Sequence, residues 1–408
     1  MGFNVKIYCG VMTQTTNKIN QTDKDAVFSL YNNNKKIKND IKNFDYIFFN
    51  GFIPNNMIDI LLKSQSNIKK IFITHSDVAY SNSYIEKYND IFYKIVCVNN
   101  YTKLKLERKL NINPEKINKI INFMDIKHNN IIELKIKKKF GIITRFSEDK
   151  NIIMLLFALQ KFFYIYNDYE FYLVGYEDDY MQSYILYLIS YLKIDKFIKI
   201  EGYQDNTQKY YDMFDFIILP SVSEGTPYNL IESMIYKKLI IASDVGGNCE
   251  LLDDNYISIN YDKIKQFEYE NLYVENYNKQ LNLLGYYTIN NYDDFNEKYE
   301  LLINFNITKL KNIPSIFLKN RRNKDKDKDK DKDKDNNEYI NNIKNIWDKN
   351  VNNIFNSLLK AIKISDQDKK RIIENNYENI IQNYNKNNYY KNINNILILD
   401  KIVDIINK

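Results

Sequence analysis

Leu219-Pro-Ser-Val-Ser-Glu-Gly-Thr-Pro-Tyr-Asn-Leu-Ile-Glu-Ser-Met234 is the stretch on which the reading of this chain turns. Its entry, Phe216-Ile-Ile-Leu219, has the length and apolar character of a buried strand. A loop bearing Glu224 and Gly225 follows, and Pro227 stands where a helix would begin, the one helical position that favours proline. Unpaired backbone N–H groups and the dipole at that helix start suit an anion such as a phosphate. Glu232 lies about one turn into the predicted helix, so it can face the same crevice as the loop. Two carboxylates eight positions apart across such a junction can each hold a polyhydroxylated ligand through paired hydroxyl bonds.

Working outward, short apolar runs alternate with helical-period stretches from residue 40 to 260. Asp45 to Phe49, Lys70 to Thr74, Ile95 to Val98 and Ile117 to Phe123 read as strands, with a helix around Met57 to Lys63. The pattern restarts at Lys139 to Thr144. A helix from Asn151 to Tyr166 follows, then the strand Phe171 to Val174, a helix from Tyr180 to Leu192, and the strand Phe197 to Ile200. A short helix, Thr207 to Met213, precedes the strand at Phe216, and Leu239 to Ala242 is the next strand. Alternation of this kind predicts an α/β chain with two consecutive doubly wound, Rossmann-like units. The expected domains are 1–135, 136–262, an insertion at 263–349 and closing helices at 350–408, with the cleft between the first two as the default site. Within the insertion, Lys324 to Asp335 is six consecutive Lys-Asp pairs, a pattern expected to form a solvated linker. Asp366-Gln367-Asp368 after Ser365 reads as a capped helix start with an acidic first turn.

Composition narrows the function classes. The 408 residues carry 58 Lys+Arg against 52 Asp+Glu, an interspersed excess of +6 that does not make the concentrated basic face of a nucleic-acid binder. No apolar run approaches the roughly 18–20 residues needed to span a bilayer. Met1 to Lys6 lacks a secretion signal, so a cytoplasmic protein is expected. The three cysteines, Cys9, Cys97 and Cys249, are far apart, which argues against a disulfide framework, and Cys249 reads as a small packed apolar residue. With only His75 and His128, a multi-histidine metal site is nearly excluded. The chain is crowded with Asn, Lys, Ile and Tyr, the mark of an AT-rich genome. Glycines kept against that drift therefore have backbone reasons, and six of the ten fall between Gly141 and Gly247.

The quoted stretch resembles the Glu-x7-Glu signature of the group 1 (family 4) glycosyltransferases, P-S-x-x-E-G-x-P-x-x-x-x-E-A-M. Further matches follow the family's order. Gly141-Ile-Ile-Thr-Arg145 with Lys150 is similar to its G-R-x-x-x-x-K element, and Tyr172 to Gly175 to its strand ending in V-G. Glu201-Gly202-Tyr203, Tyr211 to Asp215, and Asp244-Val-Gly-Gly247 with Glu250 resemble later elements. In the first half, Phe72 to Asp77 resembles the T-x-H-D element, and Ile121 to Asp125 the I-P-N-G-V-D that ends that domain. Two departures stand out: Ser233 replaces an alanine, and Lys237-Lys238-Leu239 stands where a Gly-x-Pro is usual. The N-terminal half is short.

The resemblance implies the GT-B fold and a retaining, metal-independent transfer of a sugar from a nucleotide-diphosphate sugar, with no other cofactor. It implies that Glu224 contacts the transferred sugar, and that Glu232 contacts the ribose. Arg145 and Lys150 would clamp the diphosphate, Gly225 and Thr226 would approach the sugar or phosphate through their backbones, and His75 would face the reacting sugar. The expected partners are the donor and a glycan, lipid or protein acceptor, without nucleic acid; peripheral contact with a membrane surface stays open. Two alternatives are a non-catalytic sugar-nucleotide scaffold and a nucleotide-sugar isomerase or epimerase on the same plan.

Overall fold

The computed structural model describes residues 7–9, 27–29, 43–51, 68–75, 85–124, 132, 134, 136–176, 179–261, 332–385, 387–389 and 391–392. The chain separates into two compact units, Met1–Ile120 and Ile121–Lys408. The division falls ahead of the 135/136 boundary expected from sequence because Ile121 and Met124 pack against a core of the second unit. The predicted helix at 57–63, His128, and most of the insertion lie outside the described residues.

In the first unit, β1 (Ile7–Cys9) pairs in parallel with β2 (Val27–Ser29). A four-stranded parallel sheet runs in the order β3 (Tyr46–Asn50), β4 (Lys69–Thr74), β5 (Lys94–Cys97), β6 (Ile117–Lys119). β6 is shorter than the predicted Ile117–Phe123. Helix α1 (Asn100–Arg108) leaves β5, with Asn99 as its N-cap accepting from the Thr102 N–H at 2.7 Å. Phe49, Phe72, Phe92, Ile95, Cys97 and Leu106 form the core of this unit.

The second unit holds six parallel strands: β7 (Lys139–Ile143), β8 (Glu170–Val174), β9 (Ile198–Gly202), β10 (Phe216–Leu219), β11 (Leu239–Ser243) and β12 (Ile257–Ile259). Between them lie α2 (Ile152–Ile165), α3 (Asp179–Tyr191), α4 (Gln208–Met213), α5 (Tyr228–Ile235) and α6 (Asn248–Leu252). Their spatial order is β12-β11-β10-β7-β8-β9. Counted from β7 as the first strand, this is the doubly wound 3-2-1-4-5-6 order, in which chain direction across the sheet reverses between the first and fourth strands. Here that point lies between β7 and β10, paired through Phe216↔Phe140 and Ile217↔Gly141. Gly141 is required there: a Cβ would lie 2.6 Å from the Tyr172 carbonyl and 2.7 Å from the Phe214 ring. Phe140 anchors the core on one side of this sheet, in contact with the rings of Phe162, Tyr169, Phe171 and Phe216.

Two helices, α7 (Lys332–Lys363) and α8 (Asp366–Asn383), close this unit. Helix α7 starts well before the expected 350 and takes in the last two Lys-Asp pairs. The reason is periodicity: Trp347, Val351, Ile354, Leu358 and Ala361 recur at helical spacing and all join the core, with Trp347 edge-on to Phe157. Ser365 caps α8, accepting from the Asp368 N–H at 3.1 Å, as its sequence predicted.

Lys237, at the lost Gly-x-Pro, adopts the left-handed conformation (φ 53°) that a glycine would accept without strain. Its ammonium lies 4.1 Å from the centre of the Tyr377 ring on α8, a cation–π contact that offsets part of this cost. Lys237→Ala keeps the strained backbone and removes only this contact. It should cost about 0.5–1 kcal/mol, read as a lower urea midpoint at unchanged m-value.

Candidate functional site

At the crossover between β7 and β10 two loops leave the carboxyl ends of adjacent strands, the place where open α/β sheets bind ligands. The first runs from Thr144 through a tight turn at Glu148–Lys150 into α2. The second is Pro220 to Thr226. They are sewn together by backbone and buried polar groups. The Val222 N–H donates to the Asp149 carbonyl at 2.8 Å. The Tyr261 hydroxyl donates to the Pro220 carbonyl at 2.6 Å and accepts from Asn151 Nδ2 at 2.9 Å. Asn151 itself caps α2 in the left-handed region (φ 56°), a conformation asparagine tolerates better than most residues.

This stitching brings Lys150 against Glu224. Lys150 Nζ lies 2.8 Å from Glu224 Oε1 and 3.0 Å from Asp149 Oδ2. Ser221 Oγ donates to the same Glu224 Oε1 at 2.6 Å, and Ser147 Oγ donates to Asp149 Oδ1 at 2.6 Å. Glu224 is 5% exposed and the Lys150 side chain 13%, so solvent screens the cluster little. Burial pushes the Asp149 carboxyl up, but the Lys150 charge and the Ser147 hydroxyl outweigh it and leave its pKa below the ordinary value. Burial likewise pushes Lys150 down, and the charges of Glu224 and Asp149 more than reverse this. Both groups are therefore held ionised at neutral pH. The stabilisation tied to Asp149 is lost only as pH falls below the usual aspartate range, and that tied to Lys150 only above the usual lysine range. Arg145 is exposed on the same loop, and its charge also lowers the Asp149 pKa.

Glu232 sits on α5. Pro227 occupies the cap of this helix and not its first turn, its carbonyl accepting from the Leu230 and Ile231 N–H groups. The fully buried Tyr211 hydroxyl donates to Glu232 Oε2 at 2.7 Å, and the Tyr211 ring stacks on Tyr236 with centroids 4.7 Å apart. Burial raises the Glu232 pKa, and the hydrogen bonds from Tyr211 and Thr207 only partly hold it down. On acidification Glu232 thus loses its charge earlier than an ordinary glutamate. Asn229 Nδ2 donates to the Ile143 carbonyl at 2.9 Å, fixing the start of α5 to the end of β7.

The backbone around Glu224 is gripped from two sides. Gly246 is left-handed (φ 52°), and the Gly247 N–H donates to the Gly225 carbonyl at 3.1 Å. On the other side, Asn122 Nδ2 donates to the carbonyl of the buried Thr226 at 2.9 Å. A Cβ on Gly246 would lie 1.8 Å from the Glu224 carbonyl oxygen. Gly246→Ala should therefore destabilise the protein by about 2 kcal/mol or more, through left-handed strain plus displacement of the 224–225 backbone, measured as a fall in the urea midpoint.

Of the predicted residues, Arg145, Lys150, Glu224, Gly225, Thr226 and Glu232 all lie in the second unit on the loops and helix that leave β7 and β10. His75 follows β4 in the first unit, where it is exposed and its Nε2 pairs with Asn50 Oδ1. Desolvation of the ring lowers its pKa. Cys249 is exposed, not packed, because it lies on the outer side of the short helix α6; its Sγ is 3.7 Å from the Tyr256 hydroxyl. Sequence reasoning missed Asp149, Ser221, Asn122 and Tyr261. Adjacency to Lys150 and the Ser-x-x-Glu spacing were available signals for the first two, and Asn122 lies in the Ile121–Asp125 element; Tyr261 acts from a distant position and left none.

Residues 137–269, the stretch that builds this site, match the family model described as Glycosyl transferases group 1. No curated protein matches the chain. Among solved structures, S. aureus TarM in complex with fondaparinux, α-GlcNAc-glycerol and UDP superposes with a TM-score of 0.53 at 16% identity, covering 83% of this chain and 53% of that one. A glycosyltransferase from Rickettsia africae gives 0.50 at 19% identity, covering 91% and 89%. The N-terminal domain of Candida albicans trehalose-6-phosphate phosphatase gives 0.55 at 13%, covering 89% and 73%. The chain thus spans about half the length of TarM. At these identities the likeness concerns the fold, which is that of the GT-B glycosyltransferases. Among the described residues no helix is long and apolar enough to cross a membrane.

Proposed function

We propose that this chain is a retaining glycosyltransferase that moves a sugar from a nucleotide-diphosphate sugar to an acceptor hydroxyl without a metal. One observation carries the reading. At the crossover of the sheet, a part-buried lysine and a buried glutamate are paired through only one glutamate oxygen, Oε1. Among the described residues Oε2 has no hydrogen-bond partner, so it can accept from sugar hydroxyls while Lys150 presents positive charge to a phosphate. Arg145 and Lys150 would neutralise the departing diphosphate, and Glu232 would receive the two ribose hydroxyls. The backbone at Gly225 and Thr226 would border the sugar. In the transfer, the bond from the anomeric carbon to the phosphate oxygen breaks as the acceptor oxygen attacks from the same face. The acceptor's proton passes to the departing phosphate, and nucleoside diphosphate leaves. His75, its pKa lowered, would act as a neutral hydrogen-bonding group toward the reacting sugar. The acceptor is a glycan, a lipid or a protein. A cytoplasmic setting agrees with the free thiols of Cys97 and Cys249.

Thermal-shift titration with UDP, GDP, ADP and their glucose conjugates, with and without magnesium, tests the donor class. One base should raise the melting temperature, and magnesium should add nothing. No shift with any of them, from folded protein, would leave a scaffold that binds no donor. Glu224→Gln should slow sugar release from the donor by about 100-fold or more while nucleotide binding is retained. Glu232→Ala should weaken nucleotide binding about 10-fold. Wild-type affinity should also fall as the pH drops through the raised Glu232 range, a dependence that Glu232→Ala abolishes.

A further inference from the structure

We infer that Asp149 is a positioning residue for Lys150, holding the ammonium at the diphosphate position while Glu224 is shared with the donor sugar. The inference rests on the donor reading above. An ammonium has three N–H donors. In Lys150 one points to Glu224 Oε1 and one to Asp149 Oδ2, which leaves a third for an incoming phosphate oxygen. The two carboxylates differ in how they are held. Asp149 is fixed twice, through Ser147 Oγ on its Oδ1 and through its own carbonyl, which accepts the Val222 N–H. Glu224 is held by Ser221 Oγ on the same Oε1 that meets Lys150, which leaves its Oε2 uncommitted among the described residues. A sugar hydroxyl received at Glu224 Oε2 shares that carboxylate with Lys150, whereas the Asp149 carboxylate, held by Ser147, is left to the ammonium alone.

Asp149 also has an electrostatic consequence opposite in sign to its positional one. Two carboxylates stand against the Lys150 ammonium and the nearby Arg145 charge, so Asp149 cancels positive charge that a diphosphate would otherwise meet. With Asp149 neutral, binding of the diphosphate should improve while Lys150, no longer anchored, stabilises the leaving group less well. A residue that merely supported the fold would weaken both together.

The test is Asp149→Asn, which keeps the size of the side chain and an acceptor for Ser147. The ligands are the nucleoside diphosphate and glucose conjugate that shift wild type most in the panel of UDP, GDP and ADP. Calorimetric affinity for the diphosphate should rise about fivefold, while affinity for the corresponding nucleoside, which has no phosphate, stays unchanged. Turnover of the conjugate should fall roughly 10- to 100-fold. Ser147→Ala, which loosens Asp149 without removing its charge, should lower turnover and leave diphosphate affinity within about twofold. Equal losses of diphosphate and nucleoside affinity, or unchanged affinity and turnover in Asp149→Asn, would overturn the role. If wild type binds no nucleoside diphosphate, the donor reading fails and the inference with it.

Discussion

The ion pair between Lys150 and Glu224 joins two loops that are 74 residues apart in sequence and neighbours only because β7 and β10 lie side by side. A buried ammonium and a buried carboxylate cost more in lost hydration than either could recover alone. Each must therefore be satisfied by the other and by further hydrogen bonds, here from Ser221 and to Asp149. The rest of the second unit is arranged so that this can happen. Gly141 allows the strands to close, Tyr261 and Asn151 tie the loop ends, and Gly246 lets a third loop lie against the Glu224 backbone.

The same architecture separates rigidity from chemistry. Aromatic packing around Phe140 and the helix α7 stiffens one side of the sheet, while the strand ends carry the charged and hydroxyl groups. Glu232 obeys the same logic by different means: its partner is a buried tyrosine hydroxyl, which stabilises the carboxylate without adding charge. One carboxylate thus lies beside a cation and the other beside a neutral hydroxyl, two different environments for the same side-chain type.

Much of the second unit was legible in sequence, because buried parallel strands are short apolar runs and the helices between them keep their period. Phe216 to Leu219 forms a strand with the predicted bounds, and α2, α3 and α5 start within about a residue of expectation. Helix α7 was misjudged at its start, since charged and asparagine-rich composition masked the helical spacing that begins at Trp347. Lys237, where a Gly-x-Pro is usual, takes the left-handed conformation and gains a ring contact with α8, which no local pattern showed.

What the sequence by itself determined was the alternation of strands and helices and the identity of the charged residues at strand ends, because both follow from local pattern and spacing. What only the tertiary structure decided was pairing: that Lys150 meets Glu224 and Asp149, that Tyr211 serves Glu232, and that Asn122 and Tyr261 fasten loops far from them in sequence. The physical reason is that buried polar groups are satisfied by whichever partners the sheet order brings within hydrogen-bonding distance, and sheet order is a property of the whole fold and not of any window along the chain.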